Sequence, residues 1–174
     1  MNIIEKAKSF FPNMPSEVFN TWLVPILRQH NSWPYPNVFS PHPSLQWSRY
    51  FGLFTVADIS NCLWHLLRLS FDMACLDPIS NGTIEILIAK HVYNSQATSG
   101  FNVVKSKSRF FGFVQSIQGT RTIPAPIIGI NTEVGLRILD GNHRLAALTY
   151  LGLRGHVQWN TWVGAPRPMR QKYV

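Results

Sequence analysis

Apolar positions recur at helical spacing in the first part of the chain and alternate with polar ones in much of the rest. Phe19, Trp22, Leu23, Ile26 and Leu27 fall on one helical face. Ser16 is a candidate N-cap for that helix, and Pro25 is placed to kink it. Pro34, Pro36, Pro41 and Pro43 lie among Asn, Ser and aromatic residues, which predicts an irregular loop over residues 30–43. A short helical piece is expected near residues 44–51. Thr55 and Asp58 have capping-box spacing. Ile59, Leu63, Leu66, Leu67, Ser70, Met73 and Ala74 then keep one helical face small or apolar, which predicts a long helix ending at Asp77 and Pro78.

The period changes at Thr83. Ile84, Ile86 and Ile88 alternate with Glu85, Leu87 and Ala89, as in a strand. A loop over residues 91–100 and a short extended piece over 101–104 follow, then a helix over 108–117 stopped near Gly119. Residues 127–130 and 136–139 read as two strands joined by a turn. Asp140 and Gly141 break the pattern, and from Asn142 a helix runs toward Gly152. Val157, Trp159, Thr161 and Val163 alternate once more. These elements predict a compact α+β unit over residues 83–163. A helical subdomain over 1–80 precedes it, and a basic, irregular tail over 164–174 follows.

Composition narrows the class. With 174 residues and 45% hydrophobic content, the chain can bury a real core. The first eleven residues carry Glu5 and lack the apolar run of a signal peptide. The most apolar run, residues 62–76, is interrupted by His65, Arg68 and Asp72, so membrane insertion is not expected. Cys62 and Cys75 sit in that run and read as two reduced thiols rather than a disulfide. A cytoplasmic protein is the expectation. Trp22, Trp33, Trp47 and Trp64 read as core residues rather than as base-stacking platforms.

Charge separates the halves. Before residue 90 there are five Lys/Arg against six Asp/Glu; from Lys90 onward there are eleven against two, a net +9. A field of that sign suits a polyanion, with DNA the expected partner. Lys105, Lys107, Arg109, Arg121, Arg167 and Arg170 are the candidate DNA contacts.

The chemistry concentrates in Asp140-Gly141-Asn142-His143-Arg144. A strand that turns at Gly and opens a helix presents free N–H groups and the positive end of the helix dipole, which is an anion site. Gly141, Asn142, His143 and Arg144 are the candidate phosphate-binding set, with Lys105 as a further positive contact. Arg144 is expected to grip phosphate oxygens in bidentate fashion. His143 is a candidate proton donor or acceptor. Asp140 is read two ways, as a catalytic group and Mg²⁺ ligand or as a plain N-cap. Glu85 is the third candidate catalytic residue, expected to line the pocket from its strand. Glu133 lies in the hairpin turn and reads as exposed.

The run Pro126-Ile127-Ile128-Gly129-Ile130, then Leu136-Arg137-Ile138-Leu139-Asp140-Gly141-Asn142-His143-Arg144-Leu145-Ala146-Ala147-Leu148, resembles the ParB/sulfiredoxin superfamily. That resemblance spans about residues 83–163. It implies a small mixed sheet with flanking helices and a turn that binds nucleotide phosphates. Sulfiredoxins carry their catalytic Cys where this chain has Asn142, so sulfinic acid reduction is not expected. Partitioning ParB proteins have Gly-Glu-Arg-Arg at the turn and a following helix-turn-helix domain, and this chain matches neither. Size, helical N-terminal part and turn are most similar to plasmid fertility-inhibition proteins of the Osa type. This implies ATP and Mg²⁺ as cofactors and ATPase and DNase activity directed at conjugative DNA transfer.

Three functions are carried forward. The first is an ATP-hydrolysing protein acting on DNA. The second is a kinase of a small hydroxyl compound or of a protein. The third is a non-enzymatic factor that binds a partner, such as a component of a DNA-transfer or secretion complex, through the helical N-terminal part, a function that the proline- and aromatic-rich segment from Trp33 to Trp47 favours as an addition. The +9 half favours the first over the second.

Overall fold

The computed structural model describes residues 3–30, 50–51, 54–70, 76–93, 103–123, 125–153 and 155–166. Expectations for the proline-rich loop, the helical piece at 44–49, Trp33, Trp47, Cys75, the loop at 94–100 and the tail from residue 167 lie outside them. The chain divides into two compact units, residues 1–65 with 163–174 and residues 66–162.

In the first unit, α1 spans Ile3–Phe10. A helical run then comprises α2 (Ser16–Val18), a π-helical turn (Phe19–Leu23) and α3 (Val24–His30). Pro15, not Ser16, is its N-cap, and no cap side chain bonds there. The Val24 N–H donates to the Phe19 carbonyl five residues back. This wide turn directly precedes Pro25, which has no N–H to give and whose ring crowds the preceding turn. The helical face read from the sequence is buried: Phe19, Trp22, Leu23, Ile26 and Leu27 are all at most 7% exposed. Trp22 packs against Phe51 with ring centroids 5.5 Å apart.

The capping box forms as its spacing predicts. Thr55 Oγ1 accepts from the Asp58 N–H at 3.1 Å, and Asp58 Oδ2 accepts from the Thr55 N–H at 2.7 Å. The helix it starts, α4, is only Val56–Ser60. The expected long helix is corrected here: residues Cys62–Ser70 are strand β1. A short apolar run does not distinguish helix from strand by its period, and pairing in a sheet decides it.

Strand β1 belongs to a four-stranded mixed sheet of order β1-β4-β2-β3, with β2 Ile127–Thr132, β3 Gly135–Asp140 and β4 Gln158–Pro166. Helices α5 (Pro78–Val92), α6 (Val103–Thr120) and α7 (Asn142–Tyr150) accompany it. The expected strand at residues 84–88 is therefore a helix, and the extended piece at 103–104 is the start of α6. Asp77 and Pro78 begin a helix instead of ending one. Asp77 is the N-cap, accepting from the Ser80 N–H at 2.8 Å, and Pro78 occupies the first turn, where a missing N–H costs nothing. Ser80, Ile84, Leu87 and His91 form the buried face of α5, and tertiary burial at that spacing outweighs the β preference of the isoleucines.

The hairpin, the motif helix and the last strand form as read. β2 and β3 are antiparallel, with Ile128 opposite Asp140 and Gly129 opposite Ile138. A Cβ at Gly129 would lie 2.8 Å from the Arg137 carbonyl oxygen, so glycine permits this close pairing. Val157, Trp159, Thr161 and Val163 are at most 3% exposed. The outer edge of β3 is closed by the start of α5. The Asp77 N–H donates to the Leu136 carbonyl at 3.0 Å, the Ile138 N–H donates to Ser80 Oγ at 2.8 Å, and Arg137 ion-pairs with Asp77. Such closure satisfies edge groups and blocks further strand pairing.

Candidate functional site

Strand β3 delivers Asp140 to the start of α7, and Gly141 makes the turn. Gly141 is the N-cap with φ 106° and ψ 6°, in the left-handed region. A Cβ there would meet Ile127 Cδ1 at 2.5 Å. Ile127 is fully buried, so the end of its side chain would have to shift within the core, and the positive φ demands glycine in any case. The first helical bond runs from the Leu145 N–H to the Gly141 carbonyl at 3.0 Å. No side chain among the described residues caps the N–H groups of Asn142, His143 and Arg144. Asp140 is the last residue of β3 and does not serve as the N-cap. These N–H groups and the helix dipole together favour an anion.

Arg144 turns away from that role. Its residue is 5% exposed, its Nη1 donates to the Pro126 carbonyl at 2.7 Å, and its Nη2 donates to Asp140 Oδ2 at 2.7 Å. The guanidinium thus ties the first turn of α7 to the chain entering β2 and to the end of β3. Burial works against its charge, Asp140 offsets part of that effect, and Arg109 adds to it. The i, i+4 spacing of Asp140 and Arg144 across the turn makes this pairing possible.

His143 faces a different set. Its Nε2 lies 2.9 Å from Ser106 Oγ on α6, and the same oxygen lies 2.8 Å from Nε2 of His91 on α5. The two imidazoles stack, with centroids 6.1 Å apart and planes at 24°. Phe110 closes beside His91 and Tyr150, at 5.5 and 5.8 Å between centroids. His143 is pushed down to about 4, first by burial and then by Arg109, His91 and Arg144. His91 is also lowered, by burial, then by Lys90 and Lys107. Both rings are neutral at pH 7 in surroundings rich in positive charge.

The other expected residues scatter. Lys107 and Arg109 are exposed on α6, and Arg121 is exposed just after it. The influence of Arg109 on His143 and of Lys107 on His91 brings the α6 basic face to the site. The Lys105 side chain, Arg167 and Arg170 lie outside the described residues. Glu85 is exposed midway along α5 and not in a strand, so the alternation that aimed it at the pocket does not exist. Glu133 is exposed in the hairpin turn. Among the described residues, no group of three or more His, Cys, Asp or Glu is arranged to hold a metal ion.

His91 and Ser106 were not among the residues singled out from sequence. Each lies on the buried face of its helix: His91 follows Ile84 and Leu87, and Ser106 precedes Phe110, Val114 and Ile117 at helical spacing. A polar residue in an apolar stripe was the available signal, hidden by the strand reading of residues 84–88 and by the late helix start.

No protein-family model matches this sequence, and no curated protein or solved structure matches it. No helix among the described residues is long and apolar enough to cross a membrane.

Proposed function

We propose that this protein binds a nucleotide through its phosphates at the start of α7 and hydrolyses the terminal phosphoanhydride while acting on DNA, in a fold of ParB/sulfiredoxin type. The observation that carries the reading is the first turn of α7 at left-handed Gly141, uncapped by any side chain among the described residues, with neutral His143 beside it in a field from Arg109 and Arg144, and stacked His91 in one from Lys90 and Lys107. An anion relieves that imbalance of charge, and the backbone N–H groups fit phosphate oxygens without demanding a particular base or sugar. Exposed Lys107, Arg109 and Arg121 on and just after α6 offer positive charge to a DNA backbone.

The motif's division of labour changes. Arg144 holds the turn, and exposed Arg109, whose charge reaches His143, is a cation among the described residues that can turn to phosphate oxygens. Asp140 is the carboxylate nearest the turn, but its Oδ2 is engaged by Arg144, and Glu85 and Glu133 sit exposed on other elements. Among the described residues these do not assemble a Mg²⁺ site of the protein's own, and Mg²⁺ enters bound to the nucleotide. His143 contacts the phosphate rather than binding metal.

Incubation with ATP labelled at the γ-phosphate, with and without duplex DNA, tests the reading. Free labelled phosphate, increased by DNA, is the expected result. A labelled small molecule or labelled protein would make the protein a kinase. No turnover, together with no calorimetric binding of ATP, ADP or phosphate, would leave it a docking factor for a DNA-transfer or secretion complex.

A further inference from the structure

We infer that His91 and Ser106 are positioning residues for His143: a one-way relay, from His91 Nε2–H to Ser106 Oγ and from Ser106 Oγ–H to His143 Nε2, fixes His143 as the tautomer protonated at Nδ1. Its use in phosphate contact rests on the function proposed above, but the relay itself does not.

Ser106 Oγ lies 2.8 Å from His91 Nε2 and 2.9 Å from His143 Nε2. A hydroxyl has one proton, so with both rings neutral it donates to one nitrogen and accepts from the other. Two directions satisfy the distances. His91 decides between them. The residue is 2% exposed, and its Nδ1 is buried with no hydrogen-bond partner among the described residues. If Ser106 donated to His91, the His91 proton would sit on Nδ1 as a buried donor with no acceptor. In the other direction Nδ1 is a bare lone pair. Orphaned buried N–H groups are rarer in proteins than under-satisfied acceptors, which favours the stated direction.

The same geometry resists a second proton. On His91 it enters the dead end at Nδ1. On His143 it turns Nε2 into a donor, so two N–H groups converge on Ser106 and its own proton loses its acceptor. Lys90 and Lys107 near His91, and Arg109 and Arg144 near His143, oppose the added charge as well, while the Asp140 carboxylate is held by Arg144. With Nε2 committed to Ser106, the group His143 has left for an anion is a neutral Nδ1–H. His143 is then a hydrogen-bond donor to a phosphate oxygen, not the base that abstracts a proton from water.

The test is a long-range ¹H–¹⁵N spectrum of the full chain at pH 7, with His91→Gln and His143→Gln spectra for assignment. The expected pattern is Nδ1 protonated in His143 and Nε2 protonated in His91. Ser106→Ala should cut the His143 tautomer preference by about tenfold, and Ser106→Thr should restore it. A His143 proton on Nε2 in the unaltered chain overturns the relay, as does an unchanged tautomer in Ser106→Ala. If Ser106→Ala does not fold, the unaltered chain decides alone. Addition of ADP should shift the His143 resonances. The expected tautomer without an ADP shift supports the relay and overturns the phosphate reading.

Discussion

Replacing Arg144 by Met separates two roles for the most conspicuous cation of the motif. The side chain is buried, and its two bonds of 2.7 Å go to the Pro126 carbonyl and to Asp140. Met keeps most of the aliphatic stem, so cavity formation is small and the loss is mainly polar. The Pro126 carbonyl loses a charged donor, which costs about 1.5–3 kcal/mol. The Asp140 side chain is 39% exposed, so water replaces much of what it loses, and that pair contributes at most about 1 kcal/mol. The expected destabilisation is about 2–4 kcal/mol, read as a lower urea midpoint at pH 7 with an unchanged slope. ADP affinity, measured calorimetrically under conditions where the variant is folded, should fall much less than in Arg109→Ala. Unchanged stability in Arg144→Met combined with lost ADP binding would refute the structural assignment and return Arg144 to the phosphate.

Three further outcomes are expected. Gly141→Ala should lower stability by about 1–3 kcal/mol from backbone strain alone, with more from the clash with Ile127, and a melting temperature equal to that of the unaltered chain would contradict the turn geometry. His143 is held at about 4 when folded against 6.5 when unfolded, so the unfolded chain binds the extra proton between those values. Stability is then complete above pH 6.5 and is lost as pH falls toward 4, by about 3 kcal/mol at most, and His143→Gln should flatten that part of a urea-midpoint profile. Burial, with Asp58 adding to it, raises the Cys62 thiol to about 11, so peptide mapping after iodoacetamide at pH 8 should find Cys62 unmodified in the native chain and modified in urea.

Legibility from sequence followed how local the determining physics was. The capping box at Thr55, the β2–β3 hairpin, the break at Gly141 and the alternation of β4 depend on near neighbours in the chain, and each formed where its spacing put it. Misreadings occurred where the local pattern was degenerate. Residues 62–70 suit a helix or a strand equally, and residues 84–88 carry β-branched residues inside a helix started by Asp77 and Pro78. Glu85 became a candidate through that second misreading and leaves the site with it. His91 and Ser106 were hidden because placing them requires the packing of three helices.

By itself, the sequence determined a turn of Asp140, Gly141 and Asn142 that opens a helix with its donors free, and a second half with nine net positive charges. Both follow from residue type and spacing. Only the tertiary structure decided where the motif's side chains point. Arg144 found its partners in Asp140 one turn back and in a carbonyl 18 residues away, because a buried guanidinium must satisfy its donors wherever acceptors lie. His143 found Ser106 and, beyond it, His91, from helices 37 and 52 positions away in the chain. A motif states which groups are available, and the packing around it determines which of them are already bonded and which stay open to a ligand.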